Sequence, residues 1–314
     1  MRSGLANSLS KLPVVTRTMG PMTRPMKPNA DTPPSKPKKM TRPLTDVLPL
    51  SSSGRRMLST MPGTTHGGGP GGFEVSQPPN DRCQLASNPN PMSDTLRALT
   101  TALIDWVVRD VFPPPSRYPT LAAGTLAPAT AQAIGFPTIA DLHPVQANPL
   151  LDYDLGPRFG YADMTGEIDR QPPIVKGAIP AYAVRVDADG NEVAGVASPL
   201  HQAPLGTYLG WNLQASGFFK GQLCGFTGGY VPFAKTLADR LRSGDPRPSI
   251  EERYGTLDGY VCRVTKAADV LVRDRLLLTD DRDRIVAAAA KSHVLPAGAE
   301  SSPELRAIAA KACQ

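Results

Sequence analysis

Large side chains are missing from the start of this chain: across 314 residues the first aromatic residue is Phe73. A segment without large apolar groups cannot offset the entropy of ordering its backbone, so residues 1–56 are expected to be a disordered, basic, proline-rich leader. Its wealth of Arg, Lys and Ser has the composition of an organelle-targeting signal. Prolines at 21, 25, 28, 33, 34, 37 and 43 break the amphipathic helix that such a signal uses. No run approaches the roughly 18 apolar residues of a membrane helix, and the amino terminus lacks the apolar core of a secretory signal. The chain therefore reads as soluble, with no membrane span, and as cytoplasmic by default.

Cysteine is scarce too. Cys83, Cys224, Cys262 and Cys313 show no CxxC pairing of the kind zinc sites use, so neither a metal nor another cofactor is implied. One bridge, such as Cys83 to Cys224, stays open beside the reading of unpaired small residues. Positive charge is lacking outside the leader: residues 1–57 carry +9 and the remainder −3, against a total of +6. Specific nucleic-acid binding has no support beyond that leader, which offers unspecific attraction to phosphates at most.

Glycine and proline, by contrast, are abundant at 28 and 34 residues, which predicts long irregular connections. Met57 to Met61 is a short, mostly apolar run that reads as a strand and enters the loop Pro62-Gly-Thr-Thr-His-Gly-Gly-Gly-Pro70. Ser93 then caps a helix whose apolar residues Leu96, Leu99, Leu103, Trp106, Val107 and Val111 recur at three- and four-residue steps, with one face expected to be buried. Prolines 113 to 115 end it.

Residues 116–174 read as irregular loops, with Tyr118, Phe136, Tyr153, Phe159 and Tyr161 as anchors. A β-hairpin is expected from Ala181–Val186 and Glu192–Val196, and helices over 233–242, 257–278, 281–294 and 303–312, the last opened by Ser302 and Pro303.

Chemistry concentrates at His66. A serine hydrolase presents its general base on a loop at the edge of a parallel sheet, and strand, glycine-rich histidine loop and amphipathic helix follow in that order from Met57 to Asp110. The blocks around it resemble the carboxy-terminal portion of the bacterial α/β-hydrolase domain proteins. They are the histidine loop, Asn88-Pro-Asn-Pro91, Pro113-Pro-Pro-Ser-Arg-Tyr-Pro119, Val186-Asp-Ala-Asp-Gly-Asn-Glu192, Pro204-Leu-Gly-Thr-Tyr208, Gly210-Trp-Asn-Leu213, Gly221-Gln-Leu-Cys224, Gly244-Asp-Pro-Arg247 and Ile250-Glu-Glu-Arg-Tyr254. The resemblance covers about residues 57–295.

It implies an esterase-like enzyme of about twice this length, with a Ser-His-acid triad and His66 as general base. The fold class expected is α/β: a partial α/β-hydrolase at 57–111, comprising last strand, histidine loop and last helix, with a loop-rich, mostly helical elaboration at 112–314. The family's nucleophile belongs in a G-x-S-x-G turn upstream of the histidine, and no such turn occurs here. Ser52-Ser53-Gly54-Arg55 is a faint echo without a preceding strand or room for an acid before His66. The chain is accordingly expected to be truncated, to lack the nucleophile, and to take an upstream hydrolase fragment as partner and a small-molecule ester as substrate.

Other candidates carry less. Asp187 to Glu192 mimics a calcium loop, but positions 6 and 12 hold Glu192 and Ser198 where Gly and Glu are required, and a hairpin turn fits better. Trp211, Phe218 and Phe219 belong to a dense aromatic set that is a candidate substrate-binding wall, with core or lid packing as the alternative. His201 reads as a surface-loop residue, His143 and His293 show no partner signal, and residues 280–284 read as the solvated first turn of a helix. Arg117, Arg247 and Arg253 read as loop-holding cations. The competing function is a non-enzymatic binding or structural module that uses the aromatic region as an interaction surface.

Overall fold

The computed structural model describes residues 57–139, 142 and 150–314. Expectations for the leader, for Ser52-Ser53-Gly54-Arg55 and for His143 lie outside those residues. The described residues belong to one compact unit. Its strands are β1 (Ala86–Ser87), β2 (Leu126–Pro128), β3 (Leu150–Asp154), β4 (Phe159–Gly160), β5 (Thr165–Gly166), β6 (Ile174–Ile179), β7 (Tyr182–Val184), β8 (Gly206–Tyr208) and β9 (Gly229–Pro232). Its helices are α1 (Ser93–Arg109), α2 (Ala131–Ile134), α3 (Pro199–Gln202), α4 (Leu237–Ser243), α5 (Ile250–Tyr254), α6 (Leu257–Arg273), α7 (Thr279–Ala290) and α8 (Pro303–Ala312).

The core lies between a small antiparallel sheet, in the order β1-β9-β8, and the carboxy-terminal helices. Tyr208 and Tyr230 of the sheet stack with centroids 5.4 Å apart, and Tyr254 meets Tyr260 edge-on at 5.0 Å. Ile250, Val264, Ala268, Leu271 and Leu276 fill the space between them. Two of the helices start at reciprocal capping boxes, in which side chains satisfy the first free N–H groups: Thr236 with Asp239 and Ser249 with Glu252. Gly259 lets α6 approach α8 closely, since a Cβ there would lie 2.8 Å from the Ala309 Cα. Disulfides Cys83–Cys224 and Cys262–Cys313 staple the sheet region and α6 to the end of α8, respectively.

Several expectations need correction. Met57 to Met61 forms no strand but a single parallel bridge, Ser59 to Arg117, with Thr60 N–H donating to Arg117 O and Arg117 N–H to Leu58 O, both at 3.0 Å. It is the one parallel pairing among the described residues. The 181–196 hairpin shrinks to a Val186–Glu192 bridge, because β7 pairs instead with β2. Residues 150–179 form a two-stranded ribbon, β3 with β6, and Tyr118, Tyr153 and Tyr161 are exposed rather than anchored.

Helix α6 stops at Arg273, where Asp274 caps it and Arg275 turns the chain with φ 60°. Asp281 is buried against Arg97 and Arg284, not solvated. Ser93 opens α1 without capping it, and the buried side of that helix is Asp94, Thr95, Ala98 and Ala102 with Leu99 packed partly against the core, while Leu96, Leu103, Ile104, Val107 and Val108 face outward.

Candidate functional site

The loop bearing His66 is held almost entirely by buried amides. A loop pressed against protein must find partners for each of its backbone groups. An asparagine side chain supplies two donors and an acceptor at once. Asn90 Nδ2 donates to Pro62 O at 3.0 Å and to Gly63 O at 2.9 Å, and Asn88 Nδ2 donates to Gly63 O at 2.9 Å and to Leu209 O at 3.0 Å. The Asn90 Oδ1 accepts from the Ser198 hydroxyl at 2.6 Å.

On the far side, Glu192 Oε2 accepts from Gly63 N–H at 2.9 Å; burial pushes its carboxyl above the usual range, and that hydrogen bond opposes the shift. Gly69 N–H donates to Asn90 O at 2.7 Å and Gly71 N–H to Pro89 O at 2.8 Å. Only glycine fits at 63 and 69. Gly63 has φ +57° with His201 and Tyr208 O at its Cβ position, and a Cβ on Gly69 would sit 2.3 Å from the Pro89 carbonyl carbon.

Held this way, the loop presents the His66 ring to solvent, stacked on Phe226 with centroids 4.6 Å apart and planes inclined by 27°. Among the described residues, no serine hydroxyl or carboxylate is hydrogen-bonded to it. A positioned imidazole with one open side can accept and return a proton, which is half of an acyl-transfer site.

The aromatic residues singled out in the sequence separate into two places. Trp211 is half-buried against the Leu209 cluster with Leu85, Phe136 and Val231. Phe218 and Phe219 meet edge-on at 5.1 Å on a hairpin tip and are 95% and 62% exposed. His201, expected on the surface, is buried in α3 beneath Gly63, and its Nε2 has no hydrogen-bond partner. Burial pushes its imidazole down to about 4. His293 is exposed. Arg117 pairs with Asp274, Arg247 with Asp245 and Arg253 with Asp189, each tying a loop to a neighbouring segment or to itself.

A cleft of about 470 Å³ opens just past the histidine loop, lined by Gly71, Phe73, Asp94, Arg97, Asp281 and Arg284 among others. Its charges satisfy one another, with Arg97 donating to Asp281 at 2.7 and 3.0 Å and holding that carboxyl below its usual range. Those ion pairs knot α1 to α7, and Ser93 adds a hydroxyl to the lining.

What sequence reading missed is the clamp. Asn88, Asn90 and Glu192 all lie in the blocks that carry the family resemblance, yet their common target, the Gly63 peptide, is visible only once the chain is folded.

The chain belongs to the α/β hydrolase domain family, whose pattern it matches over residues 56–287. No curated protein and no solved structure matches it.

Proposed function

We propose that this chain supplies the histidine half of an ester-hydrolysing site. His66 acts as general base toward a serine that is not contributed by the residues described, and a small-molecule ester is the substrate. In this reading residues 57–111 complete an α/β-hydrolase sheet and residues 112–314 cover it. The observation that carries the reading is a pairing of opposites: His66 is fixed by buried amides yet its ring is open, and the helix that follows turns Leu103, Ile104, Val107 and Val108 to solvent, at 48%, 54%, 52% and 73% exposure.

A contiguous apolar stripe of that kind marks a surface built to be covered. Leu58, 54% exposed beside the Ser59–Arg117 parallel bridge, offers a strand edge. A β-sheet unit with its own nucleophile turn supports all three features: it covers the helix, extends the parallel pairing and brings a hydroxyl to the imidazole. The competing binding-module reading accounts for the exposed aromatics but gives no role to the clamp on the histidine loop.

The test is turnover of aryl esters by the purified chain alone and after co-expression with the sheet-bearing portion of another member of the family. Turnover is expected only in the mixture, and His66→Ala removes it. Robust turnover by the chain alone that is lost on His66→Ala would place the nucleophile within this polypeptide and overturn the split. A mixture that forms yet stays inactive with His66 intact would leave the binding-module reading in its place.

A further inference from the structure

The sequence from Val193 to Ala238 contains no Asp or Glu, and within it the chain folds a hairpin whose tip is exposed among the described residues. Its stem is rigid. Leu213 bridges Leu223, Gln214 N–H donates to Gln222 O at 2.8 Å, Cys83 bridges Gln214, and Gln84 N–H donates to Leu213 O at 2.8 Å. Asn212 locks a third segment by bonding Leu85 in both directions, and the Cys83–Cys224 disulfide closes the base.

The tip, Ser216 to Gly221, is the opposite. Phe218 is 95% exposed, Phe219 62% and Leu223 55%, with Lys220 between them. Phe226, 78% exposed, follows the disulfide and stacks on His66.

We propose that this tip seats on the surface of an anionic phospholipid bilayer. A pocket for a small ligand requires concave walls. Here the aromatic side chains stand outward at a tip, and the cleft near Phe73 is lined by none of them. Phenylalanine side chains that flank a lysine suit an interface that is apolar below and negatively charged at its surface. The charge at the tip agrees: Lys220 is the one charged side chain between Ser216 and Gly221.

Adsorption through a loop also needs no spanning segment, and no described helix is long and apolar enough to cross a membrane. Phe226, which follows the stem in sequence, stacks on His66, so a seated tip would hold the His66 loop close to the bilayer. That last step rests on the ester-hydrolysis reading, and the substrate it selects is an ester carried in or on a lipid surface.

The experiment uses the full chain with vesicles of phosphatidylcholine, with and without phosphatidylglycerol. Binding is read by co-sedimentation and by quenching of tryptophan fluorescence with brominated acyl chains in Trp106→Phe, which leaves Trp211 at the hairpin base as sole reporter. Binding to the anionic vesicles is expected to fall at least about tenfold in Phe218→Ser/Phe219→Ser, by the apolar area withdrawn. It is expected to fall about fivefold or more in Lys220→Glu. His66→Ala is expected to leave it unchanged, so failure of the catalytic reading does not touch this result.

Undiminished binding in the double Phe variant with its disulfide intact overturns the proposal. So does loss of binding in Val108→Ser instead, or equal binding to neutral vesicles, or no binding to either.

Discussion

Helices α1 and α6 are both 17 residues long and both amphipathic, and they use that property in opposite ways. Helix α6 turns Tyr260, Val264, Ala268 and Leu271 into the core at 0%, 0%, 0% and 2% exposure. Helix α1 turns small and polar residues inward, with Leu99 partly buried beside them, and leaves Leu96, Leu103, Ile104, Val107 and Val108 in water. Apolar periodicity states that a helix has a face to cover. It does not state which polypeptide covers it.

The sharpest way to break this comparison is to charge the buried face. Val264→Asp places a carboxylate among Tyr254, Leu271 and Leu276 with no cation to meet it. Such a group costs about 4 kcal/mol or more. Urea unfolding followed by circular dichroism is expected to show a chain that no longer folds cooperatively. A variant as stable as the parent would mean that α6 is not part of the core.

A smaller effect probes the ground beneath the histidine loop. His201 sits buried and neutral, its imidazole pushed down to about 4 by desolvation from an ordinary value of 6.5. Between those values the unfolded chain binds the proton and the folded chain does not, so this contribution is complete above the unfolded value. It is lost as pH falls toward about 4, by roughly 3 kcal/mol at most. Glu192, raised by burial, works with the opposite sign over part of the same range. The comparison is therefore between the parent and His201→Gln. The variant is expected to lose much of the acid-side decline in unfolding free energy between pH 6.5 and 4, and identical slopes would refute the buried neutral imidazole.

Two other helices, α8 and α3, show what the sequence discloses. Ser302 and Pro303 announce α8, and it runs from Pro303 to Ala312 as expected. Ser198 and Pro199 carry the same signal and open α3 with the same cap, yet prolines on either side favour a loop reading, and His201 is thereby misplaced on the surface. Ser249 to Glu252 forms a capping box of the same local kind, yet helix α5, which it opens, was not among the expected elements.

The Cys262–Cys313 bridge was not, because connectivity does not follow from spacing. His66 stood out through its glycines and the family-like blocks. Its clamp did not, since Asn88, Asn90 and Glu192 converge on Gly63 from positions 25, 27 and 129 residues away. A short strand such as Met57 to Met61 is legible only to the extent that a neighbour exists to pair with it, and here one bridge is all that forms.

The smallest change in stability is expected on the outward face of α1. Val108 is 73% exposed, so Val108→Asp should alter the unfolding free energy by no more than about 0.5 kcal/mol. Its consequence lies elsewhere. An apolar stripe left in water drives association, and a charge at its centre opposes it. Light scattering after size-exclusion chromatography is expected to show less self-association in Val108→Asp, and still less in Ile104→Asp/Val108→Asp, with thermal unfolding unchanged. The same variants should fail to join a sheet-bearing hydrolase unit. If Val108→Asp instead destabilised the chain by about 2 kcal/mol or more, as burial within its own fold requires, then α1 would be covered as α6 is. The stripe could not then be the seat of a missing sheet.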